Sequence, residues 1–564
     1  MVNERNVYMS ASKKKKLRKE QAESNLTPRQ QQEQAEAKKL KVYTRVFVGV
    51  MIAIVLSVAT ILGIRAVKNS GIINKLTKAA MIGNRELNTV EMNYYYMDAI
   101  NGYYNQWSNS FGDKTDEYLK SIFGLDTKVA LNKQYHDKEK KITWADYFIN
   151  EAIGQAQNDY AMYDLAMKEG YKLTDEERAN FNTQIENLKL FAVKVYGYPS
   201  VDKYLAAVYG DGASLDTYKS YYERSLIASS YFAAHEDTFV YTNEQREEYA
   251  KDKLKEYNSY SYTICQLSYT TFRGEGTKDK DGKVTYTAEQ DKAAREAMAA
   301  AAKKLAEEAK TVEELKEKVK EVAPEGKTLK VEEMKEVLYE NIGATALQDW
   351  LTNADRKAGD IAAIPVETTK TDADGKETKE TNTYYVVIYG SVTDNTSAMA
   401  DIGYIFTHYQ GEEKEDIESG EHKHTQEDKD KTKATVEGFL KTWKEGAKTE
   451  ASLEELANSL IKEKKADEGG LVENVNPSSN FDKQILDWAL NAERKEGDTT
   501  IIEADDGFYL IYYSGKSDLN YRHYMIDNDK RAEDYQKWYD DAIAAVPTKR
   551  LNVSKMDQEL VMNP

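Results

Sequence analysis

The chain has 564 residues, 31% of them charged and 41% hydrophobic, which is long enough for about three or four domains with their own cores. Its single cysteine, Cys265, excludes an intrachain disulfide framework and a cysteine-based zinc site. The net charge is −18, although residues 1–45 are rich in lysine and arginine, so the body of the chain is strongly acidic. This balance argues against nucleic-acid binding.

The first recognisable element is an uncharged stretch, VFVGVMIAIVLSVATILGI, at residues 46–64. As a helix it would nearly span a hydrocarbon core of about 30 Å. A cleaved signal peptide is the alternative, but its basic region would be unusually long and no small-x-small cleavage site follows. We therefore expect a retained signal anchor at 46–64, with 1–45 as a basic cytoplasmic tail. The body would then lie outside the cytoplasm of a single-pass cell-membrane protein.

After a linker at 65–78, the pattern of residues over 79–258 predicts a helical domain. The segment IGNREL predicts a small strand–turn–strand, and a helix follows near Thr89. Apolar residues then recur at helical spacing, with glycine stops at Gly170 and Gly197. Tyrosine is abundant, with 41 copies. It is suited either to packing between helices or to binding peptide in solvated grooves.

The residue pattern changes from helical to strand-like at about residue 259. SYTICQLSYTTF predicts a strand, and a long amphipathic helix is expected from Thr287. The HKH run at 422–424, with His408, raises the possibility of a metal site. A solvated loop is favoured, because the histidines are not spaced along a regular element. We expect neither a metal nor a cofactor.

An internal repeat organises this second half. LQDWLTNADRKAGD (347–360) and ILDWALNAERKEGD (485–498) match at 8 of 14 positions with an offset of 138. The same offset aligns CQLSY (265–269) with GYIFT (403–407). TYYVVIYG (383–390) corresponds to GFYLIYY (507–513) once a charged insert, TKTDADGKETKETN, is removed from the first copy. The repeat predicts two domains, 259–395 and 400–516, followed by a C-terminal tail with a helix at 517–564.

The ordered pieces of the second copy carry a family resemblance. GYIFT, LEELANSL, EGGLVENV, ILDWALNAERKEGD and GFYLIYY together resemble the parvulin (PpiC-type) peptidyl-prolyl isomerase domain. IGNRELNTVEMNYYY and FVYTNEQREEYAKDKLKEY are similar to parts of SurA- and PrsA-type foldases. The resemblance implies an α+β protein. Its parts would be one transmembrane helix, a SurA-N-like helical chaperone domain, two tandem parvulin-like domains and a C-terminal helix that packs on the helical domain.

The resemblance also assigns candidate site residues. The family carries one histidine in the first strand and one in the closing strand, and none of the matching positions is histidine here. These positions are Gln266 and Tyr385 in the first copy and Tyr404 and Tyr509 in the second. The family's acidic position before a Gly-Gly turn falls near Glu463. The first copy has no such turn, and its counterpart is around APEGK (323–327). Candidate walls of a prolyl pocket in the second copy are Phe481, Ile485 and Trp488.

Whether these residues could support catalysis is left open by the sequence. Prolyl isomerisation needs a pocket that binds the twisted amide better than the planar one, and a tyrosine hydroxyl can supply one hydrogen bond to it. The other interpretation is that the tyrosines are packing residues in a former active site that has lost its activity. Packing is favoured for the first copy, which lacks the Gly-Gly turn, and both interpretations stand for the second.

Three functions remain compatible with the sequence. The first is a foldase that isomerises X-Pro bonds, the second a holdase that cradles unfolded chains, and the third an envelope scaffold with a fixed partner. Their common denominator is an extracytoplasmic, membrane-anchored foldase or chaperone of secreted proteins. Its partners would be unfolded or translocating polypeptides. The architecture suggests a Gram-positive bacterium by analogy with PrsA-like proteins.

Overall fold

The computed structural model describes residues 71–278, 280, 283–371, 377–411, 414–415 and 422–562. The predicted tail and membrane segment, 1–45 and 46–64, lie outside these residues. Within the part that is described, no helix is both long and apolar enough to cross a bilayer. Helices and antiparallel sheets are both prominent in it, so the prediction of a mixed α and β protein is confirmed.

The elements before residue 241 are mostly helical. In chain order they are α1 Gly71–Leu76, β1 Lys78–Ile82, β2 Arg85–Asn88, α2 Thr89–Phe111, α3 Thr115–Phe123, β3 Tyr135–Asp137, β4 Ile142–Thr143, α4 Trp144–Glu169, α5 Asp175–Leu190, α6 Val201–Tyr209 and α7 Leu215–His235. A π-helical segment, Phe191–Val195, continues α5.

Strands and helices alternate after residue 241. They are α8 Asn243–Ala250, β5 Ser259–Ser268, β6 Thr277–Lys278, β7 Val284–Thr285, α9 Ala288–Glu308, α10 Val312–Val322, β8 Val331–Leu338, α11 Thr345–Leu351, β9 Ile361–Thr371, β10 Glu377–Thr393, β11 Ala398–His408, β12 Lys414–Glu415, β13 His422–Lys423, α12 Gln426–Glu445, α13 Glu450–Lys462, β14 Glu468–Val475, α14 Lys483–Ala489, β15 Thr499–Glu503, β16 Gly507–Asn520, α15 Tyr521–Ala544 and β17 Thr548–Arg550.

These elements form two compact units. The helical unit contains the described residues 71–240 together with 530–562, and the repeat unit is Tyr241–Asp529. The sequence predicts a later boundary, with the helical domain ending at residue 258. The structure divides the chain earlier because Ala250, on α8, packs with Tyr257 and Ile526 in the core of the repeat unit.

The helical unit follows the local signals of its sequence. The hairpin predicted at IGNREL is present as β1 and β2, and α2 begins at a capping box formed by Asn88 and Glu91. Helix α4 ends at Gly170 in the left-handed conformation, as predicted. The core of this unit is unusually rich in tyrosine, and Tyr94 stacks on Tyr221 with ring centroids 4.9 Å apart.

The C-terminal residues complete the helical unit. Strand β17 pairs with β1, and helix α15 places Trp538 and Tyr539 against Phe232 of α7. The Gln157 side-chain amide on α4 donates to the carbonyl of Val546 over 2.7 Å. The prediction that the C-terminal helix packs on the helical domain is confirmed by these contacts.

The repeat unit contains two four-stranded antiparallel sheets with the same strand order. The first is β8-β5-β10-β9 and the second is β14-β11-β16-β15. One face of each sheet packs on two long helices, α9 and α10 in the first repeat and α12 and α13 in the second. The other face packs on one short helix, α11 or α14.

The duplicated DW motif folds in the same way in both repeats. The Arg356 guanidinium lies 4.4 Å above the Trp350 ring, and its Nε donates to the Trp350 carbonyl over 3.1 Å. Arg494 repeats this arrangement on Trp488, at 4.6 Å and 3.2 Å. In each repeat the Gly-Asp turn that follows is held to the closing strand by backbone hydrogen bonds.

The described residues of the charged insert of the first repeat, 369–371 and 377–382, lie in strands β9 and β10. Strands β9 and β10 continue as a paired hairpin from Ile361 opposite Ile388 out to Thr371 opposite Glu377. The corresponding hairpin of the second repeat, β15 with β16, ends at Glu503 opposite Phe508. The insert therefore lengthens a hairpin of the first repeat.

Candidate functional site

The candidate residues of the second repeat meet on the sheet face that α14 covers. The rings of Tyr404 on β11 and Tyr509 on β16 are 5.8 Å apart, centroid to centroid. Phe481, just before α14, lies 6.0 Å from Tyr404 and 6.4 Å from Tyr509. Ile485 is buried in the same cluster, and the half-buried Trp488 packs against it. Five of the residues predicted from the sequence are thus neighbours.

This cluster is filled by its own side chains. Tyr404 is 0% exposed, Tyr509 4% and Phe481 8%. Phe406, which sequence reasoning missed, inserts its ring 4.4 Å from that of Tyr509. Interiors of this kind are close-packed, so a prolyl ring could enter only by displacing an aromatic side chain. The second repeat therefore has a packed core at the position of the candidate prolyl pocket.

Glu463 does not join the tyrosines. It is the exposed residue that ends α13, a helix whose buried residues pack on the opposite face of the sheet. Its carboxylate lies 2.7 Å from the Lys465 ammonium, which lowers the pKa of Glu463. The proposed role of Glu463 beside Tyr404 and Tyr509 is therefore not supported by its position.

The Gly-Gly pair of the second repeat is not a turn. Gly469 and Gly470 lie within β14, beside β11. A Cβ atom on Gly469 would lie 2.8 Å from both the Ala457 Cβ and the Tyr404 carbonyl oxygen. Glycine thus permits α13 to approach the sheet closely. The structural counterparts of this pair are Val331 and Glu332 on β8, and the expectation that they lie around APEGK (323–327) is wrong.

Strand register corrects the alignment of the first strands. Tyr385 lies opposite Gln266, whereas Tyr509 lies opposite Phe406. The two closing-strand tyrosines are equivalent, because Tyr389 and Tyr513, four residues after each, both exchange backbone hydrogen bonds with the Gly-Asp turn. Phe406 is therefore the counterpart of Gln266, and Tyr404 is the counterpart of Ile264.

The error in the alignment is two residues. The second repeat has a loop two residues shorter between its first strand and the helix cap, Thr425 instead of Thr287. Because side chains alternate across a strand, a shift of two residues keeps the same face of the sheet. The offset of 138 therefore places Tyr404 on the correct face of the sheet but two residues before Phe406, the true counterpart of Gln266.

The first repeat leaves the equivalent face open. Gln266 is exposed, and Ile264 and Tyr385 are only partly buried. Gly343 stands where the second repeat has Phe481, and among the described residues no heavy atom beyond its own chain neighbours lies within 4 Å of where its Cβ would be. Three bulky aromatic side chains of the second repeat are thus replaced by Ile264, Gln266 and Gly343.

The open face combines apolar and polar groups. Tyr385 and the half-buried Trp350 belong to the apolar cluster between the sheet and α11. The Gln266 amide can both donate and accept a hydrogen bond, as a peptide group requires. This combination suits reversible contact with an extended polypeptide. The exposed carboxylate of Glu332, which lies opposite Ile264 on β8, adds a charged group to this face.

The helical unit contains a second concave feature that sequence reasoning missed. A cleft of about 420 Å³ is lined by residues from α1, α2 and α7, among them Val90, Ser220 and Arg224. The Arg224 guanidinium lies 4.4 Å above the Tyr160 ring and donates to the Tyr95 hydroxyl over 3.1 Å. These residues are far apart in the sequence and form no motif, so only folding reveals the cleft.

Two partly buried acidic residues lie next to this cleft. Asp98 accepts a hydrogen bond from the Tyr221 hydroxyl, and Asp159 accepts hydrogen bonds from Tyr95 and Ser225. Burial raises the pKa of Asp98 to about 7, and burial also raises the pKa of Asp159. The helical unit therefore holds one carboxyl group, that of Asp98, whose charge depends on pH near neutrality.

Of the histidines considered for a metal site, His408 and His424 have described side chains, whereas the side chain of His422 lies outside the described part of the chain. His408 ends β11, with its Nδ1 3.2 Å from Asp467 and its Nε2 3.5 Å from Asp506. Among the residues that the structure describes, no group of three or more His, Cys, Asp or Glu side chains is arranged to hold a metal ion.

Comparison with known proteins assigns no family. A scan of the chain against protein-family models gives no match, and a search of curated proteins gives none either.

Proposed function

We propose that this chain is a membrane-anchored, extracytoplasmic chaperone that binds unfolded or translocating polypeptides. In this proposal residues 46–64 are the anchor, and the two repeats descend from parvulin-type isomerase domains. The SurA-N-like helical unit and the first repeat contact the client. The second repeat is a structural module that has lost its pocket.

The contrast between the two repeats carries this proposal. The first repeat exposes Gln266, Tyr385 and the space above Gly343, whereas the second repeat fills the same region with Phe406, Tyr509 and Phe481. A duplicated domain that keeps one face open and closes the other is consistent with binding at the first and scaffolding at the second.

Binding is better supported than isomerisation. Rotation about a prolyl amide has a barrier of about 18–20 kcal/mol, and a catalyst must stabilise the twisted amide within a fitted pocket. The filled cluster of Tyr404 and Tyr509 offers no room for a prolyl ring. The open face of the first repeat is a surface of mixed polarity, which favours tolerant recognition of many sequences.

The experiment compares filling that face with an equal change elsewhere. The full chain in lipid nanodiscs is tested for suppression of aggregation of a chemically unfolded model protein. We expect Gly343→Phe to weaken suppression several-fold, because the new ring occupies the open space. Gly438→Phe is the matched control, since Gly438 is also exposed, lies on α12 and has open space around its Cβ position.

Isomerase activity is measured on the same samples by exchange NMR of X-Pro peptides. Acceleration that disappears in Gly343→Phe would show that the first repeat is an enzyme and would replace the proposal with an active foldase. Equal suppression by wild type, Gly343→Phe and Gly438→Phe would place client binding elsewhere. Absence of both activities would favour an envelope scaffold with a fixed partner.

A further inference from the structure

Helix α1 presents large aliphatic side chains to solvent. Ile72 is 64% exposed, Ile73 53% and Leu76 71%, although α1 has only six residues. Single exposed aliphatic residues are ordinary on protein surfaces, but three on one short helix form a concentrated apolar patch. The exposed Lys75 lies on the same helix.

This exposure is fixed by contacts on the other side of α1. The Asn74 side-chain amide donates to the Asp211 carbonyl over 2.8 Å. Gly71 approaches Gly212 so closely that a Cβ on Gly71 would lie 2.5 Å from the Gly212 Cα. The helix is thereby held to the body of the helical unit through its polar residues and glycine, and its aliphatic residues are left outside.

The position of α1 in the chain indicates what covers the patch. Residues 65–70 separate it from the apolar segment 46–64, and six extended residues reach at most about 20–22 Å. The interfacial region of a bilayer extends several ångströms beyond the hydrocarbon core on each side. If 46–64 spans the membrane, α1 is therefore within reach of the lipid surface.

We propose that α1 is a membrane-surface contact, with Ile72, Ile73 and Leu76 inserted at the boundary between headgroups and acyl chains. Lys75, on the same helix, lines the cleft between α1, α2 and α7 and is not part of this contact. The inference rests on the anchor in the proposed function and adds to it. A second contact besides the anchor restricts how the helical unit is presented above the membrane.

The test places an environment-sensitive fluorophore on α1. The full chain is reconstituted in vesicles of phosphatidylcholine and phosphatidylglycerol, and Ile73→Cys is labelled with a nitrobenzoxadiazole probe. Cys265 is fully buried and so is protected from the reagent. We expect lipids carrying a nitroxide close to the headgroup to quench the probe by about two-fold.

The control is Ile122→Cys on α3, which is also an exposed isoleucine. Helix α1 adjoins the start of α2 and α3 follows its end, and the 23 residues of α2 span about 34 Å. We expect the lipid nitroxide to leave the probe at Ile122→Cys unquenched.

Each possible outcome bears on the inference. Equal quenching at the two sites, or quenching at neither in a chain that resists alkaline extraction, would overturn the surface contact and leave the anchor intact. A probe at Ile73→Cys shielded by a second copy or by client polypeptide instead of lipid would also overturn it. Extraction of the chain at alkaline pH would refute the anchor and the surface contact together.

Discussion

Tyrosine has different roles in the two units of this protein. The consecutive tyrosines Tyr94, Tyr95 and Tyr96 are all buried in the core of the helical unit, where hydroxyl groups find polar partners. Tyr385 instead remains partly exposed on the first repeat. Tyrosine suits both settings because its ring supplies apolar area and its hydroxyl supplies one hydrogen bond.

Asp98 leads to a prediction about pH. Its folded-state pKa is raised to about 7, first by burial and then by the charge of Asp159, while the hydrogen bond from Tyr221 opposes the shift. The folded protein therefore keeps a proton that the unfolded chain loses above its ordinary pKa of 3.8. The free energy of unfolding of the helical unit should fall as pH rises from about 4 to about 7, by up to roughly 4 kcal/mol.

The substitution Asp98→Asn should flatten this dependence, because the amide cannot ionise but can still accept from Tyr221. Hydrogen exchange of α2 peptides between pH 4 and pH 8, corrected for intrinsic rates, measures the effect. The exposed residue Asp113 provides the control substitution Asp113→Asn, which should follow wild type. An Asp98→Asn profile parallel to wild type would contradict the assignment.

At the scale of elements, the two repeats share a backbone irregularity in an edge strand that their sequences do not predict. Glu336 on β8 and Asn474 on β14 both adopt positive φ, 48° and 59°. Each backbone N–H is bound by a side chain of the first strand, Ser261 over 3.0 Å and Asp401 over 2.8 Å. These irregularities are β-bulges. A β-bulge bends an edge strand and makes it a poorer template for pairing with another strand.

The bulge predicts how substitutions at Asn474 will behave. Valine should destabilise the repeat unit by about 1–2 kcal/mol, because a β-branched side chain is strained at positive φ. Asn474→Gly should be close to wild type, since glycine adopts this conformation without strain. Urea unfolding monitored by hydrogen exchange of β11 and β14 compares the two. Equal stability of the valine and glycine variants would show that the bulge relaxes at little cost.

At the scale of the whole molecule, the helical unit is made from both ends of the described chain. Strand β17 covers the edge of β1, and three buried residues of the tail, Met556, Leu560 and Met562, complete its core. The Leu131 backbone N–H also donates to the Leu560 carbonyl over 3.0 Å. The repeat unit, residues 241–529, is inserted between these two parts.

Removing the tail should therefore unfold one unit and spare the other. Ending the chain after Val546 deletes β17 and those three buried side chains, each worth about 1.5–3 kcal/mol, which together approach the whole stability of a typical domain. Hydrogen exchange should show lost protection in α2 and α4 and retained protection in β5 and β11. Lys549→Ala with Lys555→Ala, at exposed tail positions, is the control. Protection of α2 in the truncated chain would contradict this account.

Local signals explain why much of the fold could be predicted. The helix start at Thr287, the stop at Gly170 and the hairpin at IGNREL depend on neighbouring residues, and all of them are present. The predicted equivalence of Gln266 and Tyr404 is wrong, because strand register makes Phe406 the counterpart of Gln266. Pairing between strands depends on loop lengths and bulges far along the chain, which spacing within a motif does not reveal.

The sequence by itself determined the elements, the duplication and the face of each sheet on which the candidate residues lie. These follow from side-chain periodicity and capping, which act over a few residues. Only the tertiary structure decided that Phe406 and Phe481 close the second repeat, that Gly343 leaves the first repeat open, and that the tail completes the helical unit. Whether a face is filled depends on side chains that converge from distant strands and helices, and their summed volume is fixed only when the chain packs.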